Sequence, residues 1–232
     1  MGSLRRALIT PLLKTALNLI CSVDASEYRA FFDRIKKENF KNPFIIALNH
    51  INFLEVPMLV TNAHPAPVTG LVQAKAWKNR LMGFLFDSYD AIPINREGSY
   101  LQTFRKVHEA IKKGFFVCIA PEGTRSGDGV LRKAKGGIVQ LSLITGAPIL
   151  PIAHFGGQNF WHNIKRFKRT PFKFRIGRPF RFKIQGPPAK EEYPAILEEV
   201  MAQIALLLPE ELRGEYADSV NKDSRYLEFF DI

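Results

Sequence analysis

Three short polar clusters in this 232-residue chain hold side chains capable of chemistry. The first is Asn49-His50-Ile-Asn-Phe-Leu-Glu55, an imidazole followed by a carboxylate with four residues between them (an HX4E spacing). The second is Ile92-Pro-Ile-Asn-Arg96, and the third is Pro121-Glu122-Gly123-Thr124-Arg125. An alcohol is a poor nucleophile until a base removes its proton, and histidine suits that task at neutral pH. It works best when a carboxylate holds its other ring nitrogen and stabilises the imidazolium. His50 and Glu55 are the residue types for that pairing. The spacing alone is a weak signal, because Asn52-x-x-Glu55 also has capping-box spacing and Glu55 could simply satisfy a backbone N–H. Arg96 and Arg125 carry planar guanidinium forks, which match phosphate oxygens in a bidentate way. Gly123 lets backbone approach a ligand closely, and Thr124 adds a hydroxyl. Glu122 is a poor phosphate ligand; orienting Arg125, or a plain surface ion pair with it, are both physical uses for it.

These clusters need elements to position them. Phe44-Ile-Ile-Ala-Leu48 reads as a buried strand that delivers Asn49 and His50 at its end. A short helix follows from about Phe53 to Thr61. Five residues along a continuous helix is a rotation of about 140°, so His50 and Glu55 meet only if His50 sits in the turn before that helix, with Asn52 as its cap. Asp24-Ala-Ser-Glu27 resembles a capping box opening an earlier helix, which Asn42-Pro43 ends. Further strands are expected over Val68–Val72, Phe115–Ala120 and Ile149–His154, with an extended segment over Ala91–Asn95 and helices over Lys75–Phe86, from Ser99 to Gly114, and over Ala134–Thr145. Phe172, Phe174 and Ile176 alternate with Lys173 and Arg175, as Phe180, Phe182 and Ile184 do with Arg181 and Lys183, giving strands with a basic wet face. A late helix runs through Ile196 to Leu207. Alternating strands and helices predict an α/β domain: one mixed, mostly parallel sheet with helices on both faces. Open sheets of this kind bind ligands at their strand ends, where all three clusters fall. Residues 26–232 are expected to form the catalytic domain.

Residues 1–25 read as an N-terminal amphipathic segment. Leu4 to Val23 is mostly apolar but interrupted by Arg5, Arg6, Pro11, Lys14 and Asn18, which fits a helix lying in a membrane interface; packing on the protein's own core is the alternative. No run of 18 apolar residues exists, so a transmembrane helix is not expected. The net charge of +11 is concentrated. Val130 to Lys190 contains thirteen Lys and Arg and no Asp or Glu, leaving 20 basic against 22 acidic residues elsewhere. Such a stretch, interleaved with Phe160, Trp161, Phe167 and Phe172, suits anionic lipid or phosphate; nucleic acid is a further physical reading. Cys21 and Cys118 form no CxxC pair and point to a reducing compartment. No Cys/His cluster has metal-ligand spacing, so neither a metal nor a bound cofactor is expected. There is no G-x-S-x-G and Cys118 has no visible base, so no covalent nucleophile stands out. His64, His108, His154 and His162 have no comparable neighbours and read as surface or structural.

The order and spacing of the three clusters, followed by an Ala-Lys-Gly-Gly137 segment and the apolar Ile149-Leu-Pro-Ile-Ala153, resemble the glycerophospholipid acyltransferase family. The resemblance runs from about Phe44 to His154, with weaker similarity through Ile176-Gly-Arg-Pro179. Pro-Glu-Gly-Thr-Arg-Ser after a strand is the strongest piece. The resemblance implies His50 as general base, Glu55 as its partner, Arg96 and Arg125 as phosphate ligands, and Glu122 beside the acceptor's glycerol. Lys75, in Gln-Ala-Lys-Ala-Trp77, matches a basic position before the second motif. The implied reaction moves an acyl chain from an acyl-CoA or acyl carrier protein thioester to a lysophospholipid hydroxyl, with 1-acylglycerol-3-phosphate giving phosphatidate. The partners implied are the lysophospholipid, the acyl donor and an anionic membrane surface at its cytoplasmic face, with peripheral or monotopic attachment and no nucleic acid. Most members carry Asp where this chain has Glu55. Glutamate occurs in the related lipid A and phosphatidylinositol mannoside acyltransferases, so the change does not imply inactivity. Two rivals remain at this point: a noncatalytic binder of anionic lipid or nucleic acid, and a lipid hydrolase using the same histidine with water as acceptor.

Overall fold

The apolar runs that read as strands form the centre of one sheet. The computed structural model describes residues 2–37, 40–95, 100–184 and 186–231. The chain begins with α1 (Gly2–Ile20), β1 (Cys21–Asp24), α2 (Ser26–Lys36), β2 (Ile45–Leu48) and α3 (Glu55–Ala63). It continues through β3 (Val68–Gln73), α4 (Arg80–Ser88), β4 (Ile92–Ile94), α5 (Tyr100–Lys112) and β5 (Phe116–Ile119). Then come α6 (Gly137–Thr145), β6 (Ile149–Phe155), α7 (Phe160–Ile164), β7 (Thr170–Ile176), β8 (Phe180–Phe182), α8 (Tyr193–Ala205) and β9 (Leu227–Phe229).

The sheet runs in the order β1-β7-β6-β2-β5-β3-β4, with β8 and β9 branching from β6. Strands β2, β3, β4, β5 and β6 are mutually parallel, whereas β7 and β8 run antiparallel to β6. The α/β architecture expected from the sequence is the one observed. Because side chains alternate across a strand, Ile46, Leu48, Cys118, Leu150 and Ile152 face one side, where they pack with residues of α1, α2 and α3. Ile45, Ala47, Val117, Ile119, Ile149 and Ala153 face the other, against α5, α6 and α8. All residues of β2 and β5 are buried, as strands covered on both faces require. The parallel arrangement also brings the C-terminal ends of β2, β3, β4, β5 and β6 to one edge, and the polar clusters follow three of them.

Several local expectations gave way to tertiary contacts. The N-terminal helix stops at Ile20, and Cys21–Asp24 leave it as a strand in register with Thr170–Lys173. Ser22, Val23 and Asp24 are weak helix formers, and the edge of β7 offers an open ladder. The last residues of the N-terminal segment are therefore part of the sheet. The Asp24–Glu27 capping box does not form. Asp24 Oδ1 instead accepts from the N–H and hydroxyl of Ser26, and Glu27 pairs with Arg175 on β7. The helix expected over Lys75–Phe86 is split into a 3-10 turn (Ala74–Lys78) and α4, because Asn79 caps the second piece by accepting from the Met82 N–H at 3.1 Å. The short strand β9 carries too few alternating residues to stand out in the sequence, and pairing with β8 defines it.

One face of α1 packs on the protein's own core and the other is exposed. Arg6, Thr10 and Leu17 of α1 are buried, with Arg6 paired to Asp90 at 3.0 Å and Thr10 bonded to the Tyr89 hydroxyl at 2.9 Å. Leu4, Leu8, Leu12 and Leu19 on the opposite side are 64–73% exposed. On α4, which packs against α1, Leu81 and Phe84 are also exposed. Among the described residues no helix is long and apolar enough to cross a membrane.

Candidate active site

The site grows from the end of β2. Asn49, the first residue past the strand, is 1% exposed and continues the ladder with its side chain. Its amide nitrogen donates to the His154 carbonyl and its oxygen accepts from the His154 N–H, both at 2.9 Å. That clamp fixes the point at which His50 leaves the sheet. The next two peptides are held by the loop after β5: Ser126 N–H donates to the His50 carbonyl at 2.7 Å, and Gly127 N–H to that of Ile51 at 3.1 Å.

His50 sits in the turn before α3, which is the condition that the five-residue separation imposed. Its Nδ1 lies in a short contact with Glu55 Oε1. Glu55 Oε2 accepts from the Asn52 N–H at 2.9 Å, while Asn52 Oδ1 accepts from the Leu54 N–H at 2.8 Å. Glu55 thus meets the imidazole with one oxygen and a backbone N–H with the other. Asn52 is not the helix cap: α3 begins at Glu55, directly after Leu54, and the Asn52 side chain bonds within the preceding turn. The Glu55 side chain is wholly buried and that of His50 is 23% exposed. With Nδ1 facing Glu55, Nε2 is the ring nitrogen left for a substrate proton.

Glu122 follows β5 and is 1% exposed. One of its oxygens accepts from the His50 N–H at 2.6 Å and the other from the Arg132 N–H at 2.9 Å. Burial raises its carboxyl to about 7, outweighing the two N–H donors, which favour the ionised form. Gly123 has φ of +65°, a conformation suited to glycine, and its open side is covered by the Lys135 side chain. A Cβ there would come within 3.4 Å of the Lys135 Nζ. Thr124 and Arg125 are exposed, and Lys75 is exposed on the 3-10 turn after β3. Arg96 lies outside the described residues. Both cysteines are buried and free, and burial pushes the Cys118 thiol up to about 12, so it has no thiolate character at neutral pH.

Two neighbours of the site carry no sequence signal of a role there. Lys135 belongs to the Ala-Lys-Gly-Gly137 segment, but nothing in the spacing says that its ammonium lies over Gly123. His154 is fully buried, with Nε2 2.9 Å from the Asn49 carbonyl and 3.7 Å from Glu55 Oε2. The one hint in the sequence is its place at the end of a parallel strand neighbouring β2. Among the described residues no group of His, Cys, Asp and Glu could hold a metal ion.

A family profile described as Acyltransferase matches residues 32–154, more than half of the chain. The 1-acyl-sn-glycerol-3-phosphate acyltransferase of Bacillus subtilis (strain 168) is 26% identical over 171 residues, which is 72% of this chain and 83% of that protein. A protein of the same name from Pseudomonas aeruginosa is 35% identical over 109 residues, 45% of this chain and 42% of that one. The crystal structure of PlsC from Thermotoga maritima, a 1-acyl-sn-glycerophosphate (LPA) acyltransferase, shares the fold: its TM-score is 0.56 at 23% identity, over 84% of this chain and 76% of that one. The matched stretch contains His50, Glu55, Glu122, Arg125 and His154, and the chain belongs to the acyltransferase family and is an O-acyltransferase.

Proposed function

We propose that this protein transfers an acyl chain from a thioester to the free hydroxyl of a lysophospholipid, with 1-acylglycerol-3-phosphate as acceptor and phosphatidate as product. The observation that carries this reading is the His50–Glu55 pair, in which Glu55 engages Nδ1 and leaves Nε2 on a partly exposed ring. His50 Nε2 takes the proton of the acceptor hydroxyl as its oxygen attacks the thioester carbonyl. The tetrahedral intermediate then collapses, the C–S bond breaks, and the leaving thiolate takes the proton back from the imidazolium. Glu55 stabilises that imidazolium while it exists. The transfer is direct, in keeping with a buried, protonated Cys118. In this reading Arg125, with Thr124 next to it in sequence and the Lys135 ammonium over Gly123, supplies cationic groups for a phosphate, and Arg96 and Lys75 are its further ligands.

Glu122 takes a different part in this proposal from the glycerol contact that the resemblance implied. Both of its oxygens are occupied by backbone N–H groups, so it acts as the strut that holds the His50 peptide, and acceptor contacts fall to its exposed neighbours.

The protein works on a membrane surface. The outward leucines of α1 and the exposed Leu81 and Phe84 of α4 supply apolar contact. Part of the basic stretch is internally paired: Arg175 with Glu27, Arg178 with Asp231, and Arg132 with Asp128. In the loop after α7, Arg169 bonds the Cys21 carbonyl, but among the described residues no ion pair holds Lys165, Arg166 or Lys168. Lys165, Arg166 and Lys168 are exposed there around Phe167, which is 99% exposed, and Trp161 nearby is 62% exposed. Phe53, three residues past His50, packs on Trp161 at 5.8 Å between ring centroids, so this basic aromatic tip adjoins the site. Cations with exposed aromatics suit an anionic headgroup layer.

The reaction is tested by incubating purified protein with lysolipids in detergent, with acyl-CoA and acyl carrier protein thioesters in separate arms, and identifying products by mass spectrometry. Phosphatidate is expected from 1-acylglycerol-3-phosphate in at least one arm. Release of free fatty acid without a diacyl product would favour a hydrolase.

Liposome flotation checks the membrane surface. Binding should grow with anionic lipid content and weaken as salt rises. Equal binding to neutral and anionic vesicles at every salt concentration would remove the electrostatic part.

The strut has a pH signature. The folded carboxyl of Glu122 titrates at about 7, above its ordinary 4.5, so the folded state holds that proton more tightly. The resulting stabilisation is complete below pH 4.5 and lost as pH rises through 7. Glu122→Gln lacks this titration. The melting temperature of the wild type relative to that variant should therefore fall between pH 4.5 and 7 and level off above. A constant difference across that window would contradict the assignment.

A further inference from the structure

Behind Glu55 stands a second histidine that the reaction does not touch. His154 has no exposure to solvent, and its ring packs against Phe172 and Phe174 at centroid distances of 6.1 and 5.7 Å. Its Nε2 lies 2.9 Å from the Asn49 carbonyl oxygen. A carbonyl can only accept, so Nε2 carries the proton. Nδ1 is then the bare nitrogen, and it is buried without a hydrogen-bond partner. Burial lowers the pKa of the ring, which holds it neutral.

We propose that His154 is a positioning residue for the proposed transfer, holding Glu55 aimed at His50 through a neutral, fixed Nε2–H. The proposal rests on the His50–Glu55 reading and adds to it. At 3.7 Å the contact between Nε2 and Glu55 Oε2 is too long for a hydrogen bond, so the N–H, given to the Asn49 carbonyl, acts on the carboxylate through space as a fixed dipole beside it. Together with the Asn52 N–H it engages Oε2, so that rotation of the carboxylate away from His50 loses both. Neutrality is essential to this arrangement. A charged His154 would draw Glu55 away from the imidazolium that forms on His50. Among the described residues the titratable groups acting on the ring are Glu55 and His50, and Phe172 and Phe174 pack against it. The same side chain also completes the latch on Asn49, whose amide already bonds both backbone groups of His154.

The test uses the whole chain and two substitutions. His154→Phe keeps a planar ring and removes the N–H; His154→Gln restores an N–H donor without the ring. The Phe variant should lose about tenfold or more in kcat, with the acceptor KM within about twofold of wild type, and the Gln variant should recover part of the loss. The readout that does not need turnover is the NMR signal of the His50 Nδ1 proton shared with Glu55, identified by its disappearance in His50→Gln. It should shift or broaden in the Phe variant and return toward its position in the Gln variant. A Phe variant with a lower melting temperature but unchanged kcat and an unchanged Nδ1 proton would overturn the proposal and leave His154 a packing residue. If the Phe variant does not fold, 15N-histidine spectra of the wild type decide. A neutral Nε2–H tautomer at pH 7 supports the proposal, and a proton on Nδ1, or a charged ring at that pH, overturns it. Failure of the lysolipid assay in the wild type would strike the proposed reaction instead, since the NMR arm does not depend on it.

Discussion

A carboxylate shut away from water is tolerable only when donors answer its oxygens, and Glu55 imposes that demand at the centre of this molecule. One oxygen meets His50, and the other meets the Asn52 N–H with the His154 ring behind it. Much of the local architecture follows from meeting those conditions. The helix α3 starts at Glu55 itself, so the turn from Asn49 to Leu54 stays outside the helix and folds back over its first residue. A glutamate suits this better than an aspartate. The extra methylene, roughly 1.5 Å, lets the group reach from the first turn of the helix to the imidazole and the strand-end histidine together.

The sheet supplies the rest. Parallel β2, β5 and β6 bring Asn49, Glu122 and His154 to one edge, and each of the three holds a piece of backbone next to His50. Asn49 fixes the strand end, Glu122 the His50 N–H, and the loop from Ser126 to Gly127 the two following carbonyls. His50 is thus positioned by its main chain as well as by its partner. That is the kind of preorganisation a proton transfer requires, because little of the geometry has to be found during the reaction. Arg125 and Lys75 stand outside this buried set, at exposed positions.

Much of this is legible in the residues. The parallel strands appear as continuous apolar runs, because burial on both faces removes polar alternation. The polar clusters mark where those runs stop, which places them at strand ends. The requirement that His50 precede the helix follows from rotation per residue alone. What the residues do not disclose is set by contacts distant in sequence. Residues 21–24 became a strand because β7, nearly 150 positions away, offered a free edge. Glu27 left its capping box for Arg175, where an ion pair across elements prevailed over a local bond. His154 looks ordinary because its importance lies in what β6 brings next to Asn49, and no local spacing records that. Glu122 is legible as a site residue but not as one turned inward, since the sequence of a loop does not say which side chain points to the core.

The central claim is that Glu55 works with His50 as one acid–base unit. Turnover and melting temperature of Glu55→Gln, His50→Ala and the double variant, measured on the same preparations, test it most directly. A neutral amide cannot stabilise the imidazolium. The Gln variant should therefore be folded with turnover reduced by ~100-fold or more, the Ala variant nearly inactive, and the double variant little worse than Ala alone. Near-normal turnover in Glu55→Gln, with a shift in melting temperature as its main effect, would contradict the pair and leave Glu55 as a helix cap.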